Sequence, residues 1–118
     1  MGKLTTHVLD TAGGRPAAGV NYALYKVAEG AAPTLISSGV TNQDGRTDAP
    51  LIDGQPLEIG QYQLVFAVGP YFKALGWDLP EPNFLDQIPI FFGVNDPNQH
   101  YHVPLLVSPF SYSTYRGS

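Results

Sequence analysis

The stretch "HYHVPLLVSPFSYSTYRGS" (100–118) reads as an apolar strand, a Ser-Pro turn and a second strand rich in Ser and Tyr. Proline locks its own backbone angle near the value that the second position of a tight turn requires, so Ser108-Pro109-Phe110-Ser111 predicts a hairpin. Side chains alternate across a strand. His100, His102, Pro104 and Leu106 therefore share one face of the first strand, and Ser111, Ser113 and Tyr115 share one face of the second. If the two faces coincide, histidine, serine and tyrosine line up on one surface that carries no Lys or Glu to hold it in solvent.

Working outward, eleven prolines and thirteen glycines separate short β-rich runs. "LTTHVLD" (4–10) alternates and is rich in Thr and Val. "GGRPAAG" (13–19) is a turn region, and "VNYALYKV" (20–27) and "PTLISSGVT" (33–41) follow as strands. "NQDGRT" (42–47) holds an Asp-Gly turn. "GQYQLVFAV" (60–68) has the clearest alternation, with Tyr62, Leu64, Phe66 and Val68 on one face. "IPIFFGV" (88–94) completes the set, and only "PYFKALGW" (70–77) suits a helix, of about two turns. About eight short strands at roughly 8–12-residue spacing predict an all-β, two-sheet sandwich with antiparallel pairing and one short helix. With no internal repeat and no linker composition, residues 1–118 read as one domain, since domains peak at roughly 100–150 residues.

Composition excludes several classes. The chain has no cysteine, so disulfides, thiolate metal sites and cysteine nucleophiles are out. Six Lys plus Arg against ten Asp plus Glu give a net charge of −4, with no basic patch to neutralise a run of phosphates, so nucleic acid is not an expected partner. The first residues lack an apolar stretch of signal length, and no window approaches the roughly 18 apolar residues of a membrane span. A cytoplasmic protein without membrane contact is the expectation.

The chemistry-bearing residues are few. His7 stands mid-strand with Thr5 and Leu9 on its face, and His102 stands in "HYH"; an unperturbed imidazole titrates near pH 6.5 and can give or take a proton at neutrality. "HYH" has no third ligand at short spacing, so no metal is expected. Arg46, one of three arginines, follows the Asp44-Gly45 turn. Ser113 lacks the Gly-x-Ser-x-Gly elbow of a nucleophilic serine. No phosphate-binding loop or dinucleotide fingerprint is present, and no cofactor is expected. The residues alone describe a β-sandwich with a His/Arg/Tyr/Ser face and do not name a substrate.

"THVLDTAGGRPAAGV", "DGR" and "HYHVPLLVSPFSYSTYRGS" together resemble the 5-hydroxyisourate hydrolase family, the transthyretin-related enzymes of purine degradation, and the resemblance covers essentially the whole chain. Tyr115-Arg116-Gly117-Ser118 is its most specific element, since the hormone-carrying transthyretins share the fold but differ there. The resemblance implies hydrolysis of 5-hydroxyisourate without a cofactor, in a homotetramer with its sites at the dimer–dimer interface. It implies catalytic roles for His7, Arg46 and His102. Tyr115, Ser113 and Ser118 would contact substrate, while Arg116 would anchor the tail. The alternatives are a transthyretin-type carrier of a small aromatic ligand and a plain interaction module.

Overall fold

The computed structural model describes residues 2–117; Ser118 lies outside the described residues. The elements run β1 (Lys3–Asp10), β2 (Arg15–Pro16), β3 (Asn21–Val27), β4 (Thr34–Val40), β5 (Gly60–Ala67), α1 (Val68–Ala74), β6 (Gln87–Val94), β7 (His100–Val107) and β8 (Tyr112–Thr114). Two four-stranded sheets form, ordered β2-β1-β7-β8 and β4-β3-β5-β6. No helix among the described residues is long and apolar enough to cross a membrane.

Alternation places the core between the sheets. From the first sheet Leu4, Val8, Tyr101, Val103, Leu105 and Val107 point inward; from the second, Leu24, Tyr62, Leu64, Phe66, Ile88 and Ile90 meet them, all buried. Burying a large apolar side chain is worth about 1.5–3 kcal/mol. The outward face of the first sheet is therefore left free for polar chemistry.

One expectation is corrected. The pairing is not antiparallel throughout: β1 runs parallel to β7 over eight residue pairs, from Lys3 opposite His100 to Asp10 opposite Val107. Hydrophobic alternation reports which face a residue takes, and it is blind to the direction of a neighbouring strand more than 90 residues away. The helix also begins earlier than its sequence suggests. Val68, which continues the alternation of β5, turns into α1 because the Val68 and Gly69 amides both donate to the Asp86 carbonyl, at 2.9 and 3.2 Å.

A buried carboxylate joins the helix to the first sheet. Asp10 is 1% exposed. It accepts from the Gly13 amide at 2.8 Å and from the Tyr71 hydroxyl at 2.8 Å. Arg15 stands 3.9 Å away but is mostly in solvent, so its contribution is small. Burial, followed by the bond to Asp10 and its charge, pushes the Tyr71 hydroxyl up from 10 to about 12. The folded protein thus holds this proton more tightly than the unfolded chain does. Its contribution to stability is complete below pH 10 and declines as pH rises toward 12.

Tyr71→Phe leaves one oxygen of a buried carboxylate without its donor and should cost about 1–3 kcal/mol in urea unfolding at neutral pH. The alkaline loss of stability should become shallower in the same variant. Wild-type stability and an unchanged alkaline slope would show that the bond carries no net weight.

Candidate active site

The site is built on the outward face of β1 and β7. Because Leu4, Thr6 and Val8 turn inward, Thr5, His7 and Leu9 turn outward. The parallel register sets Thr5 opposite His102 and His7 opposite Pro104, so the two imidazoles are diagonal neighbours on one surface. Across β7, Leu106 pairs with Ser113 and His102 forms a bridge with Gly117. Continuing that register, Tyr115 faces Pro104. Three rows result: Thr5–His102–Gly117, His7–Pro104–Tyr115 and Leu9–Leu106–Ser113.

Arg46 arrives from a different element. The Asn42 side-chain oxygen accepts from the amides of Asp44 and Arg46, at 2.9 and 3.1 Å, and winds residues 42–46 into a compact turn. Gly45 takes φ +73°, and its carbonyl accepts from the Val8 amide at 2.8 Å. A side chain at Gly45 would run into the Val8 carbonyl, so glycine is required for the turn to sit against the β1 edge. Arg46 is thereby delivered beside the residue that follows His7.

His102 is held on two sides. Its Nδ1 makes a hydrogen bond of 2.8 Å with Thr5 Oγ1. On the other side Gly117 donates its amide to the His102 carbonyl at 2.8 Å, and a Cβ on Gly117 would come within 2.6 Å of ring atom Cδ2. Partial burial, then the nearby Arg46 charge, then His7, lower the His102 pKa below the ordinary 6.5. Each of these effects favours the neutral ring. His7 Nε2 is buried and lacks a hydrogen-bond partner among the described residues. An orphaned buried nitrogen is costly, and such groups collect at functional sites.

The sequence-predicted residues do not all converge equally. The charges of Arg46 and His7 both bear on His102. Tyr115 lies one row from His102 on the same face and is 58% exposed. Ser113 is on that face too, but two rows from His102. Arg116 points away: its guanidinium donates to Gln99 Oε1 at 3.0 Å and to the His100 carbonyl at 3.1 Å, and packs 4.3 Å from the Tyr101 ring centroid. This is the expected tail anchor. The constraint on Gly117 is the close approach of the His102 ring. Thr5 is the residue whose part sequence reasoning missed. Among the described residues no group of three or more metal-ligating side chains comes together.

Residues 4–117 match the profile of the HIUase/Transthyretin family. A 5-hydroxyisourate hydrolase of Pseudomonas aeruginosa is 55% identical over 118 residues, covering all of this chain and 93% of that protein. One from Mesorhizobium japonicum is 56% identical over 117 residues, covering 99% of this chain and 93% of that one. Among solved structures, Klebsiella pneumoniae 5-hydroxyisourate hydrolase superposes with a TM-score of 0.81 at 35% identity, over the full length of both chains. Sea bream transthyretin in complex with thyroxine gives 0.85 at 29% identity, covering 98% of this chain and 94% of that one.

The geometry makes a titration prediction. The His102 imidazole, followed by NMR, should titrate with a midpoint below 6.5. In Arg46→Gln one of the opposing charges is gone, and the midpoint should rise toward 6.5. A midpoint unmoved by that substitution would mean that Arg46 is electrostatically remote from the ring. The chain belongs to the HIUase/Transthyretin family.

Proposed function

We propose that this chain hydrolyses 5-hydroxyisourate to 2-oxo-4-hydroxy-4-carboxy-5-ureidoimidazoline, with His7, Arg46 and His102 as its catalytic residues. The observation that supports the reading is the pair of imidazoles set diagonally on one sheet face, with burial, the Arg46 charge and His7 all disfavouring protonation of His102. A neutral imidazole is the form that accepts a proton. The relatives named as 5-hydroxyisourate hydrolases, at 55 and 56% identity, support the substrate more strongly than the transthyretin at 29% supports a carrier.

In this reading a water oxygen adds to the carbonyl carbon of the ring amide, and His102 takes the proton the water releases. The carbonyl oxygen becomes an oxyanion, which Arg46 holds; a guanidinium offers a planar fork of donors to a planar, oxygen-rich heterocycle. Collapse breaks the C–N bond of the amide, and the leaving nitrogen recovers the proton from the imidazolium. The six-membered ring opens with one water consumed and no electron transferred, so the chemistry needs no cofactor. His7, with its buried nitrogen, orients the water from the diagonal position. Tyr115 and Ser113 frame the substrate, Tyr115 nearest to His102 and Ser113 at the rim.

The assembly belongs to the same proposal. Edge strands β6 and β8 expose Phe91 and Tyr112, and Phe110 is exposed in the turn before β8; open edges with aromatic side chains favour pairing with another copy. A homotetramer, with the outward face of the first sheet lining its dimer–dimer interface, would dry the site and strengthen the pull of Arg46 on the oxyanion. With it goes the cytoplasmic location expected from the sequence. Light scattering should return four times the chain mass, and a monomeric mass at assay concentrations would remove the shared-channel picture.

The activity test follows the absorbance decay of 5-hydroxyisourate made freshly from urate, against a buffer blank. The protein should accelerate it. His102→Asn should lose about 10²–10⁴-fold, the usual worth of acid–base help. Arg46→Gln should lose about 10²–10³-fold, as for removal of an oxyanion partner. Deleting residues 115–118 should cost rate while the circular dichroism of the fold persists. Decay at the blank rate with wild-type protein would instead indicate a carrier on the same scaffold.

A further inference from the structure

The His102 ring has two nitrogens, and a neutral imidazole carries only one proton. The nitrogen that carries it decides whether the ring can act as a base toward substrate. Nothing in the reading above makes that choice. The structure places one hydroxyl in position to do so. Thr5 is paired directly with His102 in the parallel register, its side chain is on the same face, and its Oγ1 stands 2.8 Å from His102 Nδ1. The opposite edge of the ring is closed by Gly117, where even a methyl group would collide with Cδ2. The ring is thus held at Nδ1, and there is no room for a side chain beside Cδ2. Threonine is also stiff at its first side-chain torsion, so the hydroxyl is a fixed stop rather than a mobile one.

We propose that Thr5 is the positioning residue of His102, accepting a hydrogen bond from Nδ1–H so that the Nε2 lone pair is left to the reacting water. This rests on the reading of His102 as the base. The threonine touches no reacting atom and acts only through the imidazole. The bland account is that Thr5 is an ordinary strand residue, since Thr is favoured in strands. The two accounts part on what happens when the hydroxyl alone is removed. The charged and titratable groups that bear on the ring, His7 from β1 and Arg46 from the 42–46 turn, stay in place in every variant below.

Thr5→Val keeps the branched shape and deletes the hydroxyl; Thr5→Ser keeps the hydroxyl. Nitrogen-15 NMR of the histidine side chains reads the tautomer, and the urate-derived substrate reads kcat and KM. We expect wild-type His102 to carry its neutral-form proton on Nδ1. We expect Thr5→Val to shift that population toward Nε2–H and to lower kcat about tenfold or more, the scale seen when a partner of a functional histidine is removed, with KM changed by less than about twofold. Thr5→Ser should restore both readouts. A wild-type ring protonated on Nε2 would overturn the inference, as would a Thr5→Val protein with unchanged tautomer and kcat. If wild-type protein leaves the substrate at its blank rate, the hydrolase reading falls, while the tautomer pair still judges the hold of Thr5 on His102.

Discussion

The parallel pairing of β1 with β7 is the constraint on which the rest depends. It joins the two ends of the chain through eight residue pairs, and both faces of the pair are committed. Inward, Leu4 and Val8 meet Tyr101, Val103 and Leu105 in the core, and buried Thr6 satisfies its hydroxyl on the Val103 carbonyl at 2.6 Å. Outward, the same register brings Thr5 and His7 beside His102. A slip by one residue would send the histidines into the core and the aliphatic residues into solvent, at several kcal/mol in lost burial. The stability of the core therefore enforces the geometry of the site.

Arg46 depends on a second, polar lock. Thr41 is buried, accepts from the Val20 amide at 2.9 Å and donates to the Ala17 carbonyl at 2.7 Å, while its own carbonyl accepts from Gly19 at 3.0 Å. These bonds satisfy buried backbone groups and fasten the start of the 42–46 turn to the segment after β2. Gly45 fastens the turn's far side to Val8. Arg46 is itself exposed, and from this turn its charge opposes protonation of His102. The lowered pKa of His102 owes most to its own partial burial and next to the Arg46 charge, whose turn is set by interactions distant in sequence from the ring.

The outward face of the first sheet differs in kind from the inner one. It carries a buried imidazole nitrogen without a hydrogen-bond partner among the described residues, the exposed Ser113 and Tyr115, and the open edge strand β8, while the inner face is an apolar core. Arg116 spends its charge within the chain, on Gln99 and the His100 carbonyl, which draws the tail across β7 and brings Gly117 against His102. Arg116 is thus structural, whereas the charge of Arg46, on the 42–46 turn, bears on His102.

Much of this was legible without coordinates. Alternation in 60–67 and 100–107 identified the core residues, because burial of every second side chain leaves a period of two. The Ser-Pro turn marked the hairpin, because proline restricts its own backbone. Composition excluded thiol chemistry and phosphate backbones. The residue types His7, Arg46, His102 and Tyr115 were legible as chemistry, and their resemblance to a known family supplied the substrate. Alternation cannot report which strands become neighbours, in which direction, or in which register, since those depend on contacts between residues a hundred positions apart. So the parallel β1–β7 pair, the hydroxyl of Thr5 at Nδ1 of His102, the reach of Arg46 and the distance of Ser113 from the histidines were decided only when the tertiary fold brought its distant strands and turns together.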